Sequence, residues 1–289
     1  MPDKTAFAVI GGDLRQAYLA GLLAKDGFDV RAAGFDRDAE LPDTVTKVSS
    51  AREAVGGASC IVLPLPYTLD GATVNAPFSR APVPLEDVWT NAGKNSLVTG
   101  GRLSQSVYDK ADEYGFRAAD YYKREELTVL NAIPTAEGAV QIAMEELPVT
   151  IHGSRMLVAG FGRIAKMLCR DLSALGADVI CCARKYSDLA WIKAYGCRPA
   201  AFASLPGELP GCAAVFNTVP ALVFDEKTLS RLDRGCLLID LASKPGGVDL
   251  EAAGRLGVRA IWALSLPGKV APMTSGAIIR DTILNMIDG

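Results

Sequence analysis

MLVAGFGRIAKMLCRDLSALGADVICCARK, residues Met156–Lys185, is the stretch that decides the fold of this chain. It opens with a short apolar run, turns through glycines, continues with apolar residues at helical spacing and ends in a second β-type run. This order predicts one βαβ unit. The turn Gly160-Phe161-Gly162-Arg163-Ile164-Ala165 has the G-x-G-x-x-A spacing of a dinucleotide-binding motif.

Each small residue of this turn has a mechanical reason. Gly160 permits the tight turn from strand to helix, Gly162 lets the backbone approach a pyrophosphate, and Ala165 lets helix and strand pack closely. The helix N-terminus, at Arg163 and Ile164, offers N–H donors and the positive end of the helix dipole to phosphates. We therefore predict that this turn binds a nucleotide. The alternative is a glycine turn that serves packing alone.

The end of the second strand of the unit indicates which nucleotide binds. NAD-specific units usually place Asp or Glu there, where the carboxylate accepts hydrogen bonds from the ribose 2′-hydroxyl. This chain has Ala183, Arg184 and Lys185 instead. No carboxylate repels a 2′-phosphate and two cations attract one, so the pattern favours NADP over NAD as the cofactor. The alternative is a solvated basic turn.

The composition is that of a globular α/β protein. The 289 residues suffice for two domains, and 49% of them are hydrophobic while 22% are charged. A formal charge of −3 offers no general attraction for nucleic acid or an anionic membrane. From the residues at the start of the sequence and the lengths of its apolar runs we expect neither a signal peptide nor a membrane-spanning segment. Seven cysteines without C-x-x-C spacing and a single histidine, His152, predict reduced core thiols and no metal site.

The chain as a whole predicts two Rossmann-like, doubly wound parallel-sheet domains joined by a helix. We expect an N-terminal Rossmann-like or flavodoxin-like substrate domain over residues 1–130, a connecting helix over 131–149 with Thr135 as its N-cap, and the NAD(P)-binding domain over 150–272. A closing helix over 273–289 can return to the first domain. Ligands of open parallel sheets bind outside the carboxyl ends of the strands, so we expect cofactor and substrate to meet in the crevice between the domains.

Four residues in the first half of the chain are candidate substrate contacts. Asp13 and Arg15 follow the first strand in a G-G-D-L-R turn, where Asp13 would repel a pyrophosphate and Arg15 can bind a carboxylate. Arg102 follows a later strand, and Thr135 lies in the 131–138 segment. The alternatives are that Asp13 only caps a helix beside a solvated Arg15, and that the 131–138 segment is a structural crossover.

Three strand ends of the second domain carry polar groups. Asn217, followed by Val219 and Pro220, can hold the nicotinamide carboxamide or ribose, or it can cap its own turn. Lys244 follows the next strand and Lys269 lies in a predicted Pro-Gly-Lys turn. Each lysine can anchor a substrate carboxylate in the active site, and the alternative for each is a solvated surface position.

Seven motifs, spread in order over nearly the whole chain, resemble the A subunit of dipicolinate synthase from spore-forming bacteria. They are V-I-G-G-D-L-R, L-N-A-I-P-T-A-E-G-A, L-V-A-G-F-G-R-I-A, C-A-R-K, N-T-V-P-A-L-V, L-I-D-L-A-S-K-P-G-G-V-D and L-P-G-K-V-A-P-M-T-S-G. The second domain alone is also similar to those of 2-hydroxyacid dehydrogenases and adenosylhomocysteine hydrolase. Lys244 lies where 2-hydroxyacid dehydrogenases place a substrate-binding arginine, but the late histidine of those enzymes is missing.

The resemblance implies an NAD(P)-linked protein that oxidises a dihydrodipicolinate-type intermediate to dipicolinate during sporulation. It also implies the flavoprotein-like B subunit of dipicolinate synthase as partner and a location in the mother-cell cytoplasm. A small dicarboxylate substrate would suit Arg15, Arg102, Lys244 and Lys269. Two other interpretations stay open: a redox-inactive NADP(H)-binding regulatory subunit, and another NAD(P)-dependent dehydrogenase acting on a small hydroxy or amino acid. Formation of a homo-oligomer also stays open.

Overall fold

A computed structural model describes residues 5–288 of the chain. The chain forms two compact units, the first extending to Leu130 and including the segment from Ala271 onward, the second spanning Asn131–Val270. No helix within residues 5–288 has the length and apolarity needed to cross a bilayer.

The first unit contains a parallel sheet of six strands. These are β1 (Ala6–Ile10), β2 (Asp29–Ala33), β3 (Thr46–Lys47), β4 (Cys60–Val62), β5 (Leu97–Gly100) and β6 (Arg117–Asp120). Their order in the sheet is β3-β2-β1-β4-β5-β6. Side chains of β1 alternate between two buried clusters, with Phe7 and Val9 on one face and Ala8 and Ile10 on the other. Both faces of the sheet are therefore covered, as parallel sheets require.

The second unit repeats this arrangement. Its strands are β7 (Arg155–Ala159), β8 (Asp178–Ala183), β9 (Arg198–Ala201), β10 (Ala214–Asn217), β11 (Leu237–Asp240) and β12 (Arg259–Trp262). They form a parallel sheet in the order β12-β11-β10-β7-β8-β9. Met156 and Val158 of β7 enter one buried cluster, and Leu157 and Ala159 enter the other. Because β7 lies between β8 and β10, the strand order reverses at its carboxyl end, which is where ligands bind in such sheets.

Helices connect the strands and cover the sheets. They are α1 (Leu14–Lys25), α2 (Ala51–Val55), α3 (Leu85–Trp89), α4 (Gln105–Tyr114), α5 (Glu125–Leu130), α6 (Ala132–Glu146), α7 (Arg163–Ala174), α8 (Tyr186–Ala194), α9 (Leu205–Glu208), α10 (Glu226–Leu229), α11 (Leu250–Leu256), α12 (Leu266–Val270) and α13 (Pro272–Asp288). Each sheet thus has the 3-2-1-4-5-6 strand order of a Rossmann fold. The predicted pair of doubly wound parallel sheets is confirmed.

The closing helix α13 packs on α1 in the first unit, as the sequence predicted. Ile279 and Ile283 share a buried cluster with Leu19 and Leu23 of α1. A Cβ atom on Gly276 would lie 2.6 Å from the carbonyl oxygen of Arg15, so the two helix backbones approach closely there. Glycine at this position lets the last helix of the chain join the first fold unit.

The helix predicted over 131–149 is α6, and the prediction of Thr135 as its N-cap is wrong. Asn131 is the N-cap, and Thr135 lies inside the helix, where its Oγ1 donates to the carbonyl oxygen of Asn131 at 2.8 Å. Pro134 does not delay the start of the helix because its missing N–H falls in the first turn, where no intrahelical partner exists. Ala139 and Ala143 of α6 are buried in the core of the second unit.

Candidate functional site

The turn after β7 is fixed by its neighbours in the sheet. Gly160 has a φ of +100°, and a Cβ atom there would lie 2.4 Å from Oγ1 of Thr218. Thr218 in turn donates from Oγ1 to the carbonyl oxygen of Ala159 at 2.9 Å, and the Gly160 N–H donates to the carbonyl oxygen of Cys182 at 2.9 Å. Glycine at position 160 is therefore required by the fold itself.

Gly162 is different because the fold places no such demand on it. Its φ of −81° suits any residue, and it is exposed. Apart from Gly162 itself and its two chain neighbours, no residue among 5–288 has an atom within 4 Å of the position a Cβ would take. It is the N-cap residue of the 12-residue helix α7. Space above a helix N-terminus is where an anionic group binds to backbone N–H groups. Ala165, the third small residue of the motif, is fully buried in the core.

The end of β8 exposes two cations. Ala183 is buried, whereas Arg184 and Lys185 are exposed and form no ion pair with any residue that the structure describes. Tyr186 follows as the first residue of α8, with 91% of its surface exposed. Since β8 pairs with β7, these cations lie on the sheet edge that also carries the Gly160–Gly162 turn.

Asn217 ends β10 and is fully buried. Its Nδ2 donates to Oδ1 of Asp240 at 2.8 Å and to the carbonyl oxygen of Val219 at 3.0 Å, while its Oδ1 accepts from the Val219 N–H at 3.1 Å. The amide is thus engaged at both ends. The sequence left two roles open for Asn217, a contact with the nicotinamide or a cap of its own turn. These hydrogen bonds are those of a turn cap, and they fix the backbone that continues into Pro220. Val219 lies beside Gly160. A Cβ atom at position 160 would lie 3.0 Å from Cγ2 of Val219.

Asp240 connects the loops that follow β10 and β11. It is 3% exposed and accepts from Asn217 Nδ2, from the Ala242 N–H at 3.0 Å and from the Gly247 N–H at 2.8 Å. A Cβ atom on Gly247 would lie 2.2 Å from Asn217 Nδ2. The loop that carries Lys244 therefore closes back onto the buried carboxylate. A buried carboxylate with several N–H donors is a strong, charge-assisted anchor.

The two lysines lie after neighbouring strands. Lys244 is exposed in the loop after β11, between Ser243 and a cis Pro245. Lys269 is exposed, but it lies within helix α12 rather than in a turn, so the predicted Pro-Gly-Lys turn is wrong. Pro267 is accommodated in the first turn of that helix, where its missing N–H costs nothing.

In the first unit, Asp13 and Arg15 form an ion pair. Asp13 caps α1 by accepting from the Arg15 N–H at 3.0 Å, which confirms the capping alternative. Nη2 of Arg15 lies 2.8 Å from Asp13 Oδ2 and donates to the carbonyl oxygen of Leu65 at 2.9 Å. Burial acts to lower the pKa of Arg15, while the hydrogen bonds and charge of Asp13 raise it above its ordinary value. Arg15 is only 5% exposed, so the alternative of a solvated side chain is wrong.

Arg102 has a fixed backbone and an exposed side chain. Its φ is +63°, its N–H donates to Asp120 Oδ1 at 3.2 Å, and its guanidinium lies 5.3 Å from the ring centre of Tyr122. Asp120 also accepts from the N–H groups of Leu103 and Tyr122. It thus organises the loops after β5 and β6 as Asp240 does in the second unit.

Sequence reasoning missed both Asp120 and Asp240. The available signal was an aspartate as the last residue of a strand, directly before a segment with glycines or polar residues. Leu103 is 17 residues from its acceptor Asp120, and Asn217 is 23 residues from its acceptor Asp240. Only the pairing of the strands in the folded sheet brings these residues together. Neither aspartate carries one of the functional roles predicted here; each shapes the loops that do.

The cysteines behave as predicted. All seven are free and buried. Burial raises the pKa of Cys60, Cys182 and Cys236 to about 12, so these thiols stay protonated at neutral pH. Within residues 5–288, no three His, Cys, Asp or Glu side chains are grouped as a metal site requires.

Two Rossmann sheets in one chain, with an open glycine turn at the switch point of the second, define a protein of the dehydrogenase-fold class. The transhydrogenase from Sinorhizobium meliloti shares this fold, with a TM-score of 0.71 and 14% identity over 97% of this chain and 93% of that one. At that identity the likeness shows the fold alone.

Proteins with higher sequence identity to this chain identify its family within the dehydrogenase-fold class. Residues 6–122 match the N-terminal domain of the dipicolinate synthase A subunit. The dipicolinate synthase A subunit of Bacillus subtilis (strain 168) is 30% identical over 281 residues, which cover 97% of this chain and 95% of that protein. The crystal structure of the corresponding A subunit from Bacillus halodurans has a TM-score of 0.91 and 30% identity over 100% of this chain and 99% of that one. The chain belongs to the family of dipicolinate synthase A subunits, and the resemblance predicted from its motifs is confirmed.

Proposed function

We propose that this chain is the nucleotide-binding component of a dipicolinate synthase, and that it carries out an NADP-linked oxidation of a dihydrodipicolinate-type intermediate to dipicolinate. The observation that carries the proposal is the open space over the exposed backbone of Gly162, at the switch point of the second sheet. A buried or crowded turn would have no room for a diphosphate.

The residues of the second unit fit the successive parts of the nucleotide. Gly160, Gly162, Arg163 and Ile164 form the turn and helix start that hold the diphosphate. Next to Ala183, at the end of β8, Arg184 and Lys185 attract a 2′-phosphate, and this is why we propose NADP rather than NAD. Both cations are exposed, so they can move onto a phosphate without breaking an existing ion pair.

The nicotinamide end of the site is shaped by backbone. We propose that Val219 and Pro220 line it, and that Asn217 acts by holding their backbone in place through its hydrogen bonds to Val219. Bound NADP⁺ would supply the hydride acceptor. The chain's own task is then to position the substrate, since loss of a hydride and a proton from a dihydropyridine ring gains aromaticity and reduces the need for a strong base.

Cations are the proposed substrate contacts. Lys244 and Lys269, exposed after neighbouring strands, would bind the carboxylates of a small dicarboxylate substrate. In the first unit, Arg102 has the exposed guanidinium suited to the same task. Asp13, Arg15 and Thr135 remain proposed contacts, but Arg15 must share its guanidinium with Asp13.

The proposal also includes a partner subunit and a cellular location. The flavoprotein-like B subunit of dipicolinate synthase would complete the enzyme, in the mother-cell cytoplasm of a sporulating bacterium. A second candidate function is a redox-inactive regulatory subunit that binds NADP(H). The observation in its favour is that the only histidine, His152, precedes β7 and so lies toward the amino edge of the sheet, away from the predicted nicotinamide. An imidazole acid–base group is thus lacking at the carboxyl edge.

An absorbance assay of reduced nicotinamide tests the two functions. We expect NADPH to form when the purified chain, together with the B subunit, receives NADP⁺ and the dihydrodipicolinate-type substrate. Binding of NADP(H) without turnover, with and without the B subunit, would favour the regulatory function. Turnover with a small hydroxy or amino acid instead would assign the chain to another dehydrogenase activity.

A further inference from the structure

The first unit has the layout of a nucleotide-binding Rossmann unit. Its strands have the same order as those of the second unit, so the strand order reverses at the carboxyl end of β1. The turn Gly11-Gly12-Asp13 lies between β1 and α1, as Gly160-Phe161-Gly162 lies between β7 and α7. Asp36 follows β2, near the place where NAD-binding units carry the acid that binds a ribose. Strand order and turn position therefore do not distinguish the two units as nucleotide sites.

What distinguishes the first unit is that residues 74–78, which we call the strap, cover its glycine turn. A Cβ atom on Gly11 would lie 2.8 Å from the Cβ of Ala76. The N–H of Gly12 donates to the carbonyl oxygen of Asn75 at 2.9 Å. The strap thus takes up both the space and a backbone donor that the turn would offer to a diphosphate.

The strap also covers the end of β2. The carbonyl oxygen of Phe78 accepts from the N–H of Asp36 at 2.9 Å and from the N–H of Arg37 at 3.1 Å. The strap therefore extends from the glycine turn to the end of β2. In a nucleotide-binding Rossmann unit these two places hold the diphosphate and the adenosine ribose of a dinucleotide.

Asp13 completes the closure at the start of α1. Asp13 and Gly162 are the N-cap residues of α1 and α7, respectively. Glycine has no side chain, whereas Asp13 accepts from the Arg15 N–H at 3.0 Å and forms an ion pair with the Arg15 guanidinium. The carboxylate of Asp13 therefore lies at the helix N-terminus where a phosphate would otherwise bind, and it repels a second anion.

The strap is anchored on both faces of the sheet. Val74 is 4% exposed and belongs to the buried cluster that contains Ile10. Phe78 packs against the cluster on the other face, which contains Val9. A segment with backbone hydrogen bonds to two strand ends and an apolar anchor on each face is a fixed part of the fold.

We propose that the strap determines which of the two Rossmann units takes a nucleotide. It fills the adenosine and diphosphate positions of the first unit with or without ligand, so that NAD, NADP and other adenine nucleotides are excluded from this unit. The strap belongs to the first unit alone. Its closure therefore does not depend on whether the second unit binds NADP.

Hydrogen exchange of the wild-type chain, followed by mass spectrometry, tests the strap directly. Without nucleotide, we expect the amides of Gly12, Asp36 and Arg37 to exchange at least about a hundredfold more slowly than in an unfolded peptide. Millimolar NADPH, NADH or ADP should leave these rates unchanged relative to those of the β1 amides. Fast exchange without nucleotide would overturn the proposal. So would a nucleotide that slows these three amides more than it slows β1.

The variant Phe78→Ala tests the anchor of the strap. Loss of the ring should loosen the strap and speed exchange at Asp36 and Arg37 by at least about tenfold. The matched control is Leu69→Ala, at an 80% exposed position of the same connection between β4 and α3, which should exchange like the wild type. Equal exchange rates in the two variants would contradict the strap. The measurement on the wild type decides the matter even if Phe78→Ala does not fold.

Discussion

Nδ2 of Asn217 lies 2.8 Å from Oδ1 of Asp240, and this hydrogen bond joins the last residues of two neighbouring strands, β10 and β11. The same carboxylate holds the N–H groups of Ala242 and Gly247. The backbone from Val219 to Pro220 and the loop that carries Lys244 therefore share one buried anchor. The shape of the proposed nicotinamide and substrate region depends on it.

Loss of this anchor should destabilise the fold. Asp240→Ala removes one of the two acceptors of the Asn217 Nδ2 and the side-chain acceptor of the buried N–H groups of Ala242 and Gly247. We expect the free energy of unfolding to fall by about 2–3 kcal/mol or more, measured by urea denaturation. Asp225→Ala is the control, since Asp225 caps the exposed helix α10 with one hydrogen bond to the Thr228 N–H. Equal losses in the two variants would argue against the anchor.

The two glycines of the turn should respond differently to alanine. Gly160→Ala forces a side chain into a φ of +100° and against Thr218, so we expect a loss of about 1–3 kcal/mol in the free energy of unfolding. Gly162→Ala meets no atom of the described residues beyond its chain neighbours, so it should cost at most about 1 kcal/mol, the effect of replacing an N-cap glycine. It should nevertheless raise the Kd for NADPH, measured by fluorescence titration. A Gly162→Ala variant with unchanged NADPH affinity would place the nucleotide elsewhere.

The end of β8 should determine nucleotide preference. Arg184→Ala removes a cation proposed to bind the 2′-phosphate, so the Kd for NADPH should rise about tenfold while the Kd for NADH changes little. Arg234→Ala, an exposed arginine in the loop before β11, is the control and should leave both values unchanged. An unchanged ratio of the two constants in Arg184→Ala would remove the assignment to NADP.

The lysines should affect turnover more than nucleotide binding. Lys244→Glu and Lys269→Glu each place a negative charge where a substrate carboxylate is proposed to bind, so kcat/KM should fall by at least about a hundredfold. The Kd for NADPH should stay within about threefold of the wild type. Lys227→Glu on α10 is the control for added negative charge. Normal turnover in either lysine variant would exclude that lysine from the active site.

An ion-pair network in the second unit should make stability depend on pH. Glu208 Oε2 lies 2.6 Å from Arg198 Nη2 and 2.9 Å from Arg155 Nη2, and the hydrogen bond from Arg198 contributes most to holding its pKa below the ordinary 4.5. A carboxyl group with a lowered pKa in the folded state stabilises the fold above its unfolded pKa and loses this contribution as pH falls. Glu208→Gln should therefore be less stable than the wild type at neutral pH, and the difference should shrink below pH 4.5, as followed by thermal melts. A difference that stays constant into the acid range would contradict the network.

Sequence and structure agree where the signal is local. The alternation of apolar runs and glycine turns predicts β7, the Gly160–Gly162 turn and α7, because strand, turn and helix lie within one short stretch. The predicted N-cap at Thr135 is wrong because Pro134 does not have to precede the helix. A proline is tolerated in the first helical turn, so α6 begins earlier, at Ala132. The same physical reason turns the predicted loop at Lys269 into helix α12.

Contacts between residues far apart in the chain could not be predicted from the sequence. Nothing in the spacing of Asn217 and Asp240 shows that β10 and β11 pair in the register that brings their ends together. The ion pair of Arg15 with Asp13 is local, but the carbonyl oxygen of Leu65 that completes the arginine's surroundings comes from a different strand end. Such contacts decide whether a polar side chain is available to a ligand, and they depend on the folded sheet.

The most direct test of the account is a calorimetric titration of the full chain with NADPH, alongside Gly162→Val, a variant that fills the space over the turn. We predict saturable binding of one NADPH per chain to the wild type and a Kd at least about a hundredfold higher for Gly162→Val, with both proteins melting at similar temperatures. Absence of NADPH and NADH binding by the folded wild-type chain, or equal binding by the two proteins, would contradict the claim that the nucleotide diphosphate lies on this turn.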